Sequence, residues 1–364
     1  MIGTFETPTL DLNPSVPSSL DVITAVRTGV ASYTDASGLI QEAVANTVRV
    51  DHSLGYPAML IEPSATNLFP YSEDFSNSVW LKSGTASVTP NTTVSPDGSL
   101  TADTISNATG TSTNDTVYLT MNPIDVDHTL SAYVKSQGAT TMSIYLRNGI
   151  TGTIPYQNIN LTDEWQRVTL THNFQNGQMI FGNSDGDFAV WGAQLEAGSV
   201  ATSYIPTSGG NEAARTRAAD NLTITGSAFS DFYNQSEGTI YVEAIGRGYE
   251  NFNTVYSIND NTSNNRIYQR TPTTDAFVVR SGNVGQSNQS LADSAINVLS
   301  RISGSYKVNN IQYSKDGASA TTDTSATIPA GLNKMDIGSS SFDSNFLNGH
   351  IKRVIYWPTH SDSL

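Results

Sequence analysis

Four runs between residues 116 and 171 alternate strictly between apolar and polar side chains, and no other feature of this 364-residue chain restricts its fold as much. Val117, Leu119 and Met121 alternate with Thr116, Tyr118 and Thr120; Leu130, Ala132 and Val134 with Ser131, Tyr133 and Lys135. Met142, Ile144 and Leu146 alternate with Ser143, Tyr145 and Arg147, and Val168 and Leu170 with Arg167, Thr169 and Thr171. A period of two sends successive side chains to opposite sides of an extended backbone. Strands with one apolar and one polar face, joined through Gly, Asn and Asp turns, satisfy both faces in an antiparallel sandwich. No helical pattern of comparable quality competes in this region.

The same reasoning extends outward. Phe188 to Leu195 reads as a last strand of this body, with Trp191 in phase with Ala189, Ala193 and Leu195 and so expected in the core. Trp80 is expected to plug one end of it. Pro206, Ser208, Gly209 and Gly210 then end regular structure. From residue 222 a second series begins, GTIYVEAIG, NTVYSIN, NRIYQR, DAFVVRSG and RISGSYKVNNIQYSKDGAS, with Asp316-Gly317 as a tight turn. Upstream, Pro8, Pro14 and Pro17 punctuate an extended opening, and Asp35-Ala36-Ser37-Gly38 joins two short runs as a hairpin. The expected protein is all-β: an extended attachment or oligomerisation segment over 1–66, a sandwich over 67–206, a linker over 207–221 and a second sandwich over 222–364.

Which chemistry fits such a scaffold is narrowed by composition. The 33 acidic and 18 basic residues leave a net charge of −15, which disfavours nucleic acid and anionic membrane surfaces as partners. There is no cysteine, and no apolar run reaches the roughly 18 residues a membrane helix requires. MIGTFETPTLDLNP has neither the basic nor the apolar region of a secretory signal. No nucleophile elbow, zinc-protease motif or phosphate-cradling glycine loop occurs. His172 shares the phase of Val168 and Leu170 and reads as a core or rim histidine. Glu73, Asp74, Glu164, Asp185, Asp187 and Glu243 read as solvated acids of strands and turns. No catalytic residue is assigned, and the protein is expected not to be an enzyme.

Two binding constellations stand out. Tyr118, Tyr133 and Tyr145, with Lys135 and Arg147 beside them and Trp165 two residues before Arg167, are expected on the same polar face, where they combine aromatic surface with hydrogen-bonding cations. Sugars, which present apolar faces edged by hydroxyls, are recognised by such combinations; these six residues form the candidate glycan site. Asn183-Ser184-Asp185-Gly186-Asp187 spaces oxygen side chains around a glycine turn, so Asp185 and Asp187 are candidate ligands of a structural Ca²⁺. No other cofactor is expected. Arg266, Tyr268 and Arg270 alternate with Ile267 and Gln269 as a solvated strand face, with an anion- or sugar-binding face as the alternative.

WGAQLEAGSVATSYIPTSGG (191–210) followed by TRAADN (216–221) resembles the closing segment of carbohydrate-binding jelly-roll modules in bacteriophage tail and fibre proteins. TGVASYTDASGLIQEAVANTVRVDH (28–52) and the LIEP…TNL segment (60–68) match the pattern that leads into such modules, although Ala65 stands where those proteins often carry an arginine. The last third, with KMDIGSSS and FLNGHIKRVIYW, resembles laminin-G or concanavalin-like jelly rolls. The resemblance implies a virion tail fibre protein that binds host surface polysaccharide during adsorption, contacts other tail proteins and forms a homotrimer. Lacking a long heptad run, the chain would trimerise through its N-terminal region. A purely structural virion component and the accessory region of a polysaccharide depolymerase are the alternatives.

Overall fold

The computed structural model describes residues 7–110, 114–173, 175–208, 213–248, 253–272, 275–340, 345–362 and 364. The chain is all-β, with every strand pair antiparallel, and it divides into two compact units.

Unit 2 comprises residues 29–42 and 64–217. Its front sheet runs in the order Tyr156–Asn160, Thr141–Arg147, Gly177–Gly182, Val117–Met121, Leu81–Lys82. Its back sheet runs Gln166–Asn173, Asp127–Ser136, Phe188–Ala197, Ala102–Ser106, Ser87–Thr93. Leu130, Ala132 and Val134 of the back sheet meet Val117, Leu119, Met142, Ile144 and Leu146 of the front sheet in one core, as their alternation requires. Trp80 closes that core against Phe69, Phe75 and Phe181, and its indole N–H donates to the Tyr71 carbonyl at 3.0 Å.

The Phe188–Ala197 strand departs from simple alternation. Phe188 and Val190 point into the core, yet so do Ala193 and Leu195. Opposite Ser131 and Tyr133 the register shifts by one residue, and Gly192 at the shift has φ +63°, which L side chains rarely adopt. The bulge changes the phase and turns Trp191 outward. Trp191 is therefore buried as expected, at 1% exposure, but in a separate small cluster with Ala102 and Tyr204 on the other face of the back sheet rather than between the two sheets.

Unit 1 comprises residues 1–28, 43–63 and 218–364. One sheet runs Thr321–Asp323, Asn310–Lys315, Ser300–Lys307, Glu237–Gly246, Gly349–Trp357, Ala58–Ile61, Val50–Asp51, with Leu10–Leu12 also on Gly349–Trp357. The other runs Thr24–Val26, Asn221–Thr225, Lys334–Ile337, Thr254–Asn259, Arg266–Arg270, Ala276–Ser281, Val284–Ser290. Their inner faces share a core that includes Ile240, Val242, Ile258, Ile267, Ile302 and Val354. Asp316 and Gly317 form the expected turn, both at positive φ.

The division differs from the expected one. Residues 1–66 are not a separate segment: their strands complete both sheets of unit 1, and the Ser32–Thr34/Ile40–Glu42 hairpin belongs to unit 2. The expected linker 207–221 holds two strands. Arg215–Arg217 pairs with Ala65–Asn67, and Asn221–Thr225 starts within it; Gly209 and Gly210 lie outside the described residues.

Buried charge explains how the early segments are held in unit 1. Asp220 accepts from Arg27 Nε at 3.1 Å, from Arg49 Nε at 3.2 Å and from the Glu62 amide at 3.0 Å, while Arg49 Nη2 bridges Glu62 at 2.8 Å and Asp220. All four side chains are essentially inaccessible to solvent. Burial alone would lower the Arg49 pKa, but the Glu62 and Asp220 carboxylates outweigh it and raise it.

Candidate functional site

On the outer face of the front sheet the register aligns Leu81, Tyr118, Ile180, Tyr145 and Tyr156 side by side across all five strands. Tyr118, Ile180 and Tyr145 belong there because their chain neighbours face inward: Val117 and Leu119, Met179 and Phe181, Ile144 and Leu146 are core residues. With strands spaced ~4.8 Å apart, the row spans roughly 19 Å, the reach of a short oligosaccharide rather than of one sugar.

Accessibility divides the labour. Tyr145 is only 4% exposed and Ile180 is buried, so they form the floor. Tyr156, 58% exposed, and Leu81, 42% exposed, stand at the two ends, with half-buried Tyr118 beside Leu81. The Tyr145 and Tyr156 rings lie 5.6 Å apart at 33°, a tilted stack that fixes the exposed ring. Burial raises the Tyr145 hydroxyl pKa, against a lowering hydrogen bond to Ser143, so it remains a neutral donor at ordinary pH.

Hydrogen-bonding groups edge the row on both sides. Arg147 donates from Nη1 to Gln178 Oε1 at 3.2 Å, with exposed Thr120 in register beyond. On the other side Ser143 donates to Asn158 Oδ1 at 2.7 Å and accepts from Asn183 Nδ2 at 3.1 Å. An apolar strip flanked by guanidinium, amides and hydroxyls suits a carbohydrate chain lying flat on the sheet.

The six candidate residues do not form one site. Tyr118, Tyr145 and Arg147 share this front face; Tyr133, Lys135 and Trp165 lie on the opposite, outer face of the back sheet. There Tyr133 packs on Trp191 at 5.7 Å, and Trp191 on Tyr204 at 4.6 Å, while the Arg167 guanidinium covers Tyr133 at 5.5 Å. Trp165 donates to the Val94 carbonyl at 3.0 Å, and Lys135 is half-buried nearby on the Tyr133 strand. Tyr133 is thus occupied by packing, and Tyr145 supports rather than presents the aromatic surface. Leu81, Tyr156 and Ile180 lie outside the six residues read from the sequence. Tyr156, Asn158 and Asn160 alternate around Ile159, a signal that was available; Ile180 within QMIF has no local mark of facing outward.

Beside Trp191 and Tyr204 lies a cavity of about 420 Å³ whose walls include Glu73, Asp97, Glu42 and Arg215. The Tyr204 hydroxyl donates to Glu73 at 2.8 Å; burial raises the Glu73 pKa nonetheless, and Asp97 adds to the rise. The suggested cation ligands have other work. Asp185 accepts from the Thr140 and Thr141 amides at 2.8 and 2.9 Å and from the Thr140 hydroxyl, which together hold its pKa down to about 2. Asp187 is exposed, and among the described residues no three acidic or histidine side chains converge to hold a metal.

No protein-family profile matches the chain, and no curated protein matches it. Similar solved structures include a point mutant of NanB sialidase from Streptococcus pneumoniae, at 14% identity and a TM-score of 0.33, covering 38% of this chain and 25% of that one. The CBM22-1-CBM22-2 tandem of Paenibacillus barcinonensis Xyn10C aligns at 11% identity and a TM-score of 0.29, over 83% of this chain and 100% of that one. Domains LG4-5 of the mouse laminin alpha1 chain align at 10% identity and a TM-score of 0.26, over 68% and 89%. The chain spans about a quarter of the sialidase. Superpositions this loose assign neither a ligand nor an activity, and the functional argument rests on the chain's own residues.

Proposed function

We propose that this chain is a non-enzymatic glycan-binding protein whose saccharide site is the front face of unit 2. The observation that carries the reading is the in-register row Leu81–Tyr118–Ile180–Tyr145–Tyr156 with its polar edges. The resemblance of residues 28–68 and 191–221 to phage fibre proteins supplies the setting: adsorption of a virion to host surface polysaccharide, as a homotrimer docked to other tail proteins. Burial of Glu62 and Asp220 in unit 1 gives those segments a folding role besides any part in attachment.

The test is binding of the labelled full chain to host cells and to their extracted polysaccharide, with a Tyr118→Ala/Tyr156→Ala variant that unfolds like the parent. Loss of two partly exposed aromatic contacts is expected to cost about 2 kcal/mol, roughly thirtyfold in affinity. Binding retained in that variant would move the site elsewhere. Absence of any binding by the parent would favour a purely structural role, and release of reducing ends from the polysaccharide would make the chain an enzyme.

A further inference from the structure

Unit 1 carries a second arrangement of different chemistry. On the outer face of its sheet, Tyr268 is flanked along its own strand by Arg266 and Arg270, and Arg280 lies directly opposite Arg266 on the next strand. Val278 and Asn288 continue the Tyr268 row. A shallow depression of about 550 Å³ opens over Tyr268, Arg270, Val278, Arg280, Gln286 and Asn288.

What sets Arg266 and Arg280 apart is the missing countercharge. Elsewhere in unit 1, Arg301 and Lys352 pair with Glu243, Lys307 with Glu237, Lys315 with Asp275, Lys334 with Asp336 and Arg353 with Asp11. Neither Arg266 nor Arg280 has a carboxylate partner among the described residues, although acids outnumber bases 33 to 18 in the chain. Asp323, the one acid among the described residues that line the depression, turns its Oδ1 to the Ser325 amide and hydroxyl. Like charges directly opposite on neighbouring strands repel. Burial lowers the Arg266 pKa, and Arg280 and Arg270 lower it further.

The geometry also orients donors. The Arg266 guanidinium lies over the Tyr268 ring at 4.2 Å, a stack that fixes its plane and leaves its edge for hydrogen bonding. Its Nε is buried without a hydrogen-bond partner, as is that of Arg280. Arg280 is steadied through Nη2 by Asn283 Oδ1 at 2.8 Å and the Asn283 carbonyl at 3.1 Å. An anionic group with two or more oxygens completes such a set through bidentate bonds and removes the repulsion at once.

We propose that the Arg266–Tyr268–Arg270–Arg280 face binds the carboxylate, sulfate or phosphate groups of an acidic polysaccharide. Arg266 and Arg280 grip the anion, Tyr268 positions Arg266, and Asn288 and Gln286 meet neighbouring hydroxyls. The site is distinct from the unit 2 platform, which is built on a long apolar row.

The experiment titrates the full chain with labelled polygalacturonate, dextran sulfate and a phosphomannan, with neutral dextran and a single-stranded oligonucleotide as controls. At least one acidic polysaccharide is expected to bind, and the preferred polymer names the anion. Arg266→Gln/Arg280→Gln should weaken that binding by about tenfold or more, as should raising salt from about 0.05 to about 0.2 M. Arg266→Lys/Arg280→Lys keeps the charges without the planar fork and should fall between parent and Gln variant; it also serves if the Gln variant melts early. Tyr118→Ala/Tyr156→Ala should leave this binding intact, which separates failure here from failure of the unit 2 reading. Binding of no acidic polymer, equal binding by the parent and a folded Gln variant, or equally tight binding of the oligonucleotide would each overturn the proposal.

Discussion

Replacing Asp220 with alanine removes the acceptor on which two buried guanidinia converge. Asp220 takes hydrogen bonds from Arg27 Nε, Arg49 Nε and Arg49 Nη2 and from the Glu62 amide, with side-chain exposures of 1% for Arg27, 0% for Arg49 and 3% for Asp220. In Asp220→Ala, Glu62 remains as the carboxylate beside Arg49, and Arg27 keeps its bond to the Val44 carbonyl at 2.8 Å. Two buried cations then lose the carboxylate that they share. Removing one partner from a buried ionic cluster costs about 3–5 kcal/mol. For a unit of roughly 200 residues, at about 2–4 °C per kcal/mol, the melting temperature should fall by roughly 6–20 °C. Differential scanning calorimetry of the full chain reads this as a shift in the unit 1 transition. Asp220→Asn, which keeps the shape and loses the charge, should lie between. An Asp220→Ala protein melting within about 2 °C of the parent would refute the reasoning, because the guanidinia would then have found water or other acceptors.

Three further outcomes follow from single sites. Gly192→Ala forces a side chain into φ +63° with its Cβ 3.3 Å from the Tyr133 and Tyr204 rings, and should destabilise unit 2 by about 1–3 kcal/mol in denaturant unfolding; no change would mean that the bulge can relocate. Burial, and Arg247, push the His350 imidazole below its ordinary range, against the raising effects of the Asp51 bond at 2.8 Å and of Glu62. The folded state therefore prefers the neutral ring, and its contribution is complete above about pH 6.5 and lost as pH falls toward the folded-state value. An NMR titration placing His350 at or above about 6.5 would contradict this. Calcium addition or chelation should leave the unit 2 melting temperature unchanged, since Asp185 already serves the Thr140 and Thr141 donors; a calcium-dependent rise would restore the turn as a metal site.

Strand by strand, alternation was a reliable guide to facing. Leu130, Ala132 and Val134 lie in the core and Tyr133 outside it because pleating makes orientation a local property. Sheet membership is not local. Tyr133 and Tyr145 carry the same alternating signature, but pairing with partners distant in sequence put one on the back sheet and the other on the front, so their outward faces diverge. A one-residue bulge at Gly192 was equally invisible to a strict period of two, and with it Trp191 is buried in a separate cluster on the other face of the back sheet instead of between the sheets.

Charge shows the same boundary from another side. Arg27, Arg49, Glu62 and Asp220 are separated by up to 193 residues, and nothing in their spacing marks them as one buried cluster. By itself the sequence determined an all-β chain of two bodies, the inward face of most strands, and an inventory of tyrosines and arginines suited to carbohydrate. The tertiary structure alone decided which of those residues meet. Side-chain direction follows from neighbouring backbone angles, whereas proximity and desolvation arise only when segments far apart in the chain are brought into one body.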